Sequence, residues 1–133
     1  MTAANVVSGQ ALIDAERRRQ VQTLGYTPAH DRLFNTGGEL LAAARVYATP
    51  AADRVMHQPR KLVPPTPVGW PWGWIAWKPK TELDDLVRAG ALFQAEADRL
   101  LSLRRRAAAE VCLEGRERCA EQIDRLTATA GAP

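Results

Sequence analysis

The stretch that decides the fold is TELDDLVRAGALFQAEADRLL, residues 81–101. Leu83, Leu86, Val87, Gly90, Phe93, Ala97, Leu100 and Leu101 recur at steps of three and four, the period of an amphipathic helix. Thr81 stands as its N-cap, and Glu82, Asp84 and Asp85 in the first turn suit the positive end of the helix dipole. Gly90, in mid-helix, costs about 1 kcal/mol against alanine, which marks a close helix–helix crossing.

Working outward, the chain before this helix divides into two helical segments and a long loop. Residues 1–8 read as a loose lead-in. Residues 9–24 read as a helix capped by Ser8, with Leu12, Ile13, Ala15 and Val21 as apolar contacts and Gly25 as its stop. Its arginine trio, Arg17 to Arg19, reads as a solvated face. Residues 26–35 read as an irregular connector, because Pro28 disfavours helical geometry at Thr27. A second helix opens at TGGE, where Thr36 and Glu39 have capping-box spacing, and it packs through Leu40, Leu41, Ala44, Val46 and Tyr47 before Pro50.

From residue 49 to residue 80 prolines interrupt every regular period, and the segment ends in GWPWGWIAWKPK, residues 69–80. Tryptophans are rare in disordered chain, so an ordered Pro/Trp-rich loop is expected. If extended, the segment sets Trp70, Trp72 and Trp74 on one side. Such a row serves as a stacking wall for flat ligands or as a plug between helices. A membrane foothold is the weakest reading, because no amphipathic stripe accompanies the indoles.

On the C-terminal side, one uninterrupted helix from 82 to 126 would exceed about 60 Å, too long for so small a domain, so a break is expected near 102–106 or at Gly115. Beyond it Val111, Cys112, Cys119, Ile123 and Leu126 form a thin stripe that reads as a homo-oligomer seam. Cys112 and Cys119 lie about 10 Å apart on one helix face, too far to bridge each other, and read as small buried hydrophobes. The predicted architecture is all-α: three main helices and the loop over residues 1–101, then a C-terminal helical extension over 102–133.

The 133 residues are 46% apolar and only 6% aromatic, which suits one alanine- and leucine-rich core. A net charge of +3 with both signs interspersed makes nucleic acid an unlikely partner. No apolar run reaches membrane-spanning length and no signal pattern opens the chain, so a cytoplasmic protein without a membrane partner is expected. The two His and two Cys fall short of a zinc pattern, and no phosphate-binding glycine loop, zincin helix or nucleophile elbow appears. No cofactor, metal or catalytic residue is therefore assigned.

The order of motifs carries a resemblance. Gly25-Tyr26-Thr27-Pro28, His30-Asp31, Gly38-Glu39-Leu40, Trp70-Pro71-Trp72, Trp77-Lys78-Pro79 and Asp85-Leu86-Val87-Arg88-Ala89 occur in the sequence order of a group of short phage and prophage proteins. The match spans about residues 10–101, and the chain is more remotely similar to ryanodine-receptor repeat (RyR) domains. Where the group continues with a second acid and a second histidine, this chain has Arg32-Leu33-Phe34-Asn35, which favours binding over metal or acid–base chemistry there. The resemblance implies a non-catalytic, phage-derived protein that sequesters a nucleotide-type immune signal as an oligomer and counters host defence in the host cytoplasm.

On that reading Tyr26, Trp72, Trp74 and Trp77 stack on a base, His30, Asp31 and Asn35 contact base or ribose, and Lys78, Arg88 and Arg45 neutralise phosphate. Their meeting place is expected between the tryptophan segment and residues 26–35, with Lys78 and Arg88 at its edge. Two other classes stand beside it. One is a magnesium-dependent nucleotide pyrophosphohydrolase using Glu39, Asp84, Asp85 and Glu96, although the first helix pair lacks the E-x-x-E of the MazG type. The other is an adaptor whose charged C-terminal helix binds a host protein.

Overall fold

The computed structural model describes residues 7–130, which leaves most of the 1–8 lead-in outside the described residues. The chain is predominantly helical: α1 (Gly9–Gln22), α2 (Pro28–Phe34), α3 (Glu39–Ala48), α4 (Glu82–Ser102) and α5 (Arg106–Ala130). Between α3 and α4 a two-residue antiparallel ladder pairs β1 (Met56–His57) with β2 (Thr66–Pro67), flanked by 3₁₀ turns at Ala51–Asp53 and Trp74–Ala76.

α4 is the axis of the fold, packed by α1, α2, α3 and α5. Its buried residues run almost all the way round, from Asp85 and Leu86 through Ala89, Leu92, Phe93 and Ala95 to Leu100. A helix this enclosed needs small residues where neighbours cross. A Cβ at Gly90 would collide with the side chain of Ile13 on α1. A Cβ at Gly115 on α5 would lie 2.6 Å from the ring of Phe93. Those two glycines set how closely α1 and α5 approach α4.

The expected break falls at residues 103–105. Leu103 closes α4, and Arg104 takes a left-handed conformation with φ of 60°. The N–H groups of Arg104 and Arg105 then bond back to the carbonyls of Leu101 and Leu100, at 2.9 Å each. This is a Schellman closure with arginine where glycine is usual, and it folds α5 back along α4. Cys112, Cys119 and Ile123 consequently belong to the main core together with Ala109 and Ala120. The stripe that reads as an oligomer seam is thus covered from within the chain, and its outlier Val111 faces solvent.

Three local readings are corrected. Residues 26–35 are not irregular: Thr27 caps α2 by accepting from the His30 N–H, and Pro28 occupies the first turn, where its missing N–H costs nothing. Thr36 does not cap α3. Gly38 holds the N-cap position at φ 88°, and the Glu39 carboxylate accepts from the Gly37 N–H instead. The arginine trio is divided: Arg18 and Arg19 are exposed as expected, but Arg17 joins Gly9, Ile13 and Gln20 in the buried stripe of α1, pairing with Asp98 at 3.1 Å while donating to the Tyr26 carbonyl.

Candidate functional site

The loop over residues 49–80 is stapled at both ends by one buried carboxylate. Asp85, in the first turn of α4, accepts from Arg54 Nη2 (3.1 Å) and from the Lys80 N–H (2.8 Å). Arg54 also donates to the carbonyls of Val46 and Tyr47 at the end of α3, satisfying groups that a helix terminus leaves open. Its guanidinium lies 5.1 Å from the Trp77 ring centroid. The loop's last residues are tied to Tyr47 as well: the phenol oxygen accepts from the Lys78 N–H (3.3 Å) and from Arg88 Nη1 (3.1 Å).

This arrangement sorts the indoles. Trp70 makes edge contacts with Tyr47, Trp72 and Trp77 at 5.0–5.5 Å, and Trp77 stacks on Tyr47 at 4.9 Å. Trp74 sits in a 3₁₀ turn and is exposed. The expected row of Trp70, Trp72 and Trp74 therefore does not form, because the chain coils into the 3₁₀ turn at Trp74–Ala76 rather than running on extended. Trp70, Trp72 and Trp77 instead join Tyr47 in one aromatic cluster packed on the core.

Opposite that cluster stand Tyr26, just ahead of the α2 cap, and His30 and Phe34 on α2, spaced at intervals of four. His30 stacks on Tyr26 at 5.3 Å and tilts against Phe34 at 4.8 Å. Asp31, fully buried behind them, accepts through Oδ1 from Asn35 Nδ2 (2.9 Å) and faces His30 Nδ1 (3.0 Å). Between the two aromatic walls lies an open cleft of about 1030 Å³. Trp70 and Trp72 line one side and Tyr26, His30, Phe34 and Asn35 the other, while Glu16, Arg19 and Gln20 enter from α1. Lys78, Lys80, Asp84 and Arg88 complete it.

The polar groups of this cleft are differently held. Arg88 is fixed over the Tyr47 ring, 5.0 Å from its centroid, and also donates to the Lys78 carbonyl. The Lys78 and Lys80 side chains form no ion pair among the described residues, since only their backbone groups are engaged. Arg19 donates Nε and Nη2 to the two oxygens of Glu16 at 2.8 and 2.9 Å. Burial pushes the Glu16 carboxyl up, yet the hydrogen bonds from Arg19 and Gln20 and the charges of Arg19 and Arg88 outweigh it and hold the group below its ordinary 4.5. The same Glu16 bond raises Arg19.

Of the ten residues expected to bind a ligand, Tyr26, His30, Asn35, Trp72, Lys78 and Arg88 line this cleft. Asp31 supports it from behind. Trp77 is packed into the cluster, and Trp74 stands outside. Arg45 borders a separate hollow of about 300 Å³ beside Val46 and Gly69. Sequence reading missed Glu16, Arg19 and Gln20. Their spacing of three and four was visible, but nothing local says which helix faces the loop.

The four carboxylates of the hydrolase reading do not converge. Asp84 bonds the hydroxyl of Thr81, Asp85 holds Arg54 and Lys80, Glu39 holds Gly37, and Glu96 is buried against Arg99 at 2.6 Å. Among the described residues no three His, Cys, Asp or Glu side chains come together as a metal-binding set. Among the described residues no helix is long and apolar enough to cross a membrane. Comparison with protein-family models, curated proteins and solved structures finds no match to this chain.

Proposed function

We propose that this protein is a non-catalytic binder of a nucleotide-type ligand, which it holds in the cleft between α2 and the tryptophan loop. The observation that carries the reading is the pairing of two aromatic walls with unpaired lysines at one rim. Flat rings gain about 1–3 kcal/mol from each aromatic stacking contact, and Lys78 and Lys80 supply point charges for a phosphate. Arg88 is anchored by Tyr47 and Lys78, so it meets an anion without first losing rotamer freedom. The resemblance to short phage proteins sets the biological role we infer: sequestration of a nucleotide immune signal in an infected host cell.

Incubating the protein with linear and cyclic nucleotides, then denaturing it and analysing what is released, tests this. Depletion followed by recovery of the intact nucleotide supports sequestration. A magnesium-dependent product supports the hydrolase, and no depletion from the whole panel overturns both. A second reading, an adaptor for a host protein, draws on Leu33 and Phe34, which are 76% and 70% exposed beside the cleft mouth. Such apolar exposure is a common mark of a protein contact.

A further inference from the structure

The α1 lining of the cleft includes a carboxylate, a group that a simple phosphate site would exclude. Glu16 reaches the cleft from α1, its side chain 16% exposed, and keeps its charge between Arg19 and Arg88. A carboxylate offers about four lone-pair positions. Arg19 occupies one on each oxygen and Gln20 Nε2 approaches Oε2 at 3.4 Å, so Oε1 retains acceptor capacity. Gln20 is itself 4% exposed, and its Oε1 has no hydrogen-bond partner among the described residues. The amide cannot be turned to cure this, because its oxygen would then face the carboxylate.

At the α1 end of the cleft Glu16 Oε1 is therefore the acceptor with capacity left for a ligand, since Gln20 Oε1 is buried out of reach of solvent. Tyr26 is placed directly against that end, since its backbone N–H bonds the Gln20 carbonyl at 2.9 Å. A ligand on the Tyr26–His30 wall with an edge turned to Glu16 fits stably where that edge carries donors. Among nucleobases, guanine presents two adjacent donors, N1–H and the 2-amino group, at the geometry of a carboxylate. Adenine presents one amino donor beside an acceptor nitrogen, which Glu16 would repel.

We propose that the cleft selects a guanine-type base, with Glu16 accepting from N1–H and the 2-amino group while the ring lies against Tyr26 and His30. This selectivity rests on the nucleotide-binding reading above. Arg19, with a side chain 48% exposed, is free to turn from Glu16 toward the ligand phosphate as the base takes its place.

Titration calorimetry with 5′-GMP, IMP and AMP tests it on the wild-type chain, without depending on any variant. GMP is expected to bind about tenfold or more tighter than AMP, the scale of one bidentate base contact. IMP, which lacks the 2-amino donor, is expected between them. Glu16→Gln, checked for an unchanged melting profile, is expected to lose most of the guanine preference, with weaker GMP binding and tighter AMP binding as the repulsion of the adenine ring nitrogen is relieved. Equal affinities in the wild type, or a preference that survives in Glu16→Gln, overturns the proposal. AMP or UMP binding without guanine preference leaves nucleotide binding standing and removes only this selectivity. Absence of binding by every nucleotide tested removes both.

Discussion

Replacing Gly90 by alanine sets two effects of known size against each other. In an isolated helix the change is worth about 1 kcal/mol in alanine's favour. In this protein the new methyl would lie 2.7 Å from Ile13 Cγ1 and 3.3 Å from Cγ2, and closer still to Cδ1. Carbon atoms pack at about 3.5–4.0 Å. Ile13 is completely buried and β-branched, and a β-branched side chain in a helix is confined to essentially one χ1 rotamer. Rotating Cδ1 away leaves the other two contacts in place, so α1 must shift from α4. Such overpacking costs about 1–3 kcal/mol, the upper part applying where backbone moves. The net expectation for Gly90→Ala is a loss of about 1–2 kcal/mol, with a fall in Tm of roughly 3–8 °C.

Urea denaturation followed at 222 nm measures the loss, and Ile13→Val isolates its cause. Alone, Ile13→Val costs about 1 kcal/mol. Combined with Gly90→Ala it removes one clashing carbon, so the double variant should be more stable than the sum of the singles by about 0.5–1 kcal/mol. A Gly90→Ala protein more stable than wild type, or strictly additive energies, refutes a close crossing at this point.

Removing one partner of the buried Arg54–Asp85 pair strands the other, so Asp85→Ala should lose about 3–5 kcal/mol, whereas Asp84→Ala, which only abandons the Thr81 hydroxyl at the surface, should lose about 1 kcal/mol or less. Burial raises the Cys119 thiol from 9.0 to about 11. The folded state holds this proton more tightly than the unfolded chain, so its contribution is intact below pH 9 and is lost as pH climbs toward 11. Across that window Cys119→Ala should flatten the decline in stability by up to about 3 kcal/mol relative to wild type. Trp72→Ala should keep most of the stability and weaken nucleotide binding about tenfold. Trp77→Ala, which empties the stack between Tyr47 and Arg54, should cost about 3 kcal/mol or more in folding, read from the same urea curves.

The period of residues 81–101 was legible, and so was Gly90 as a crossing point, because both are local consequences of side-chain size and spacing. That α4 is enclosed on nearly every side was not: Ala89, Ala91 and Ala95 are buried, yet alanine suits either face of a helix. Arg17 shows the same blindness in reverse. Its charge argues for solvent, and its burial is explained by Asp98, eighty-one positions away, together with the Tyr26 carbonyl. The α2 helix was missed because Pro28 was weighed as a breaker rather than as a first-turn residue behind a threonine cap. The neighbourhood of the cleft was readable from its clustered Trp, Tyr, Lys and Arg residues. The carboxylate in its α1 lining was not, since Glu16 and Gln20 acquire their place only when α1 crosses α4.

In the proposed complex a nucleotide occupies the space between the Tyr26–His30–Phe34 ladder and Trp72. The four indole N–H signals in a ¹⁵N–¹H correlation spectrum test it most directly, each assigned by single Trp→Phe substitution. Titration with nucleotide should move the Trp72 signal most and Trp70 less, and leave exposed Trp74 unmoved. Signals that all stay fixed at millimolar nucleotide, or a shift confined to Trp74, would contradict it.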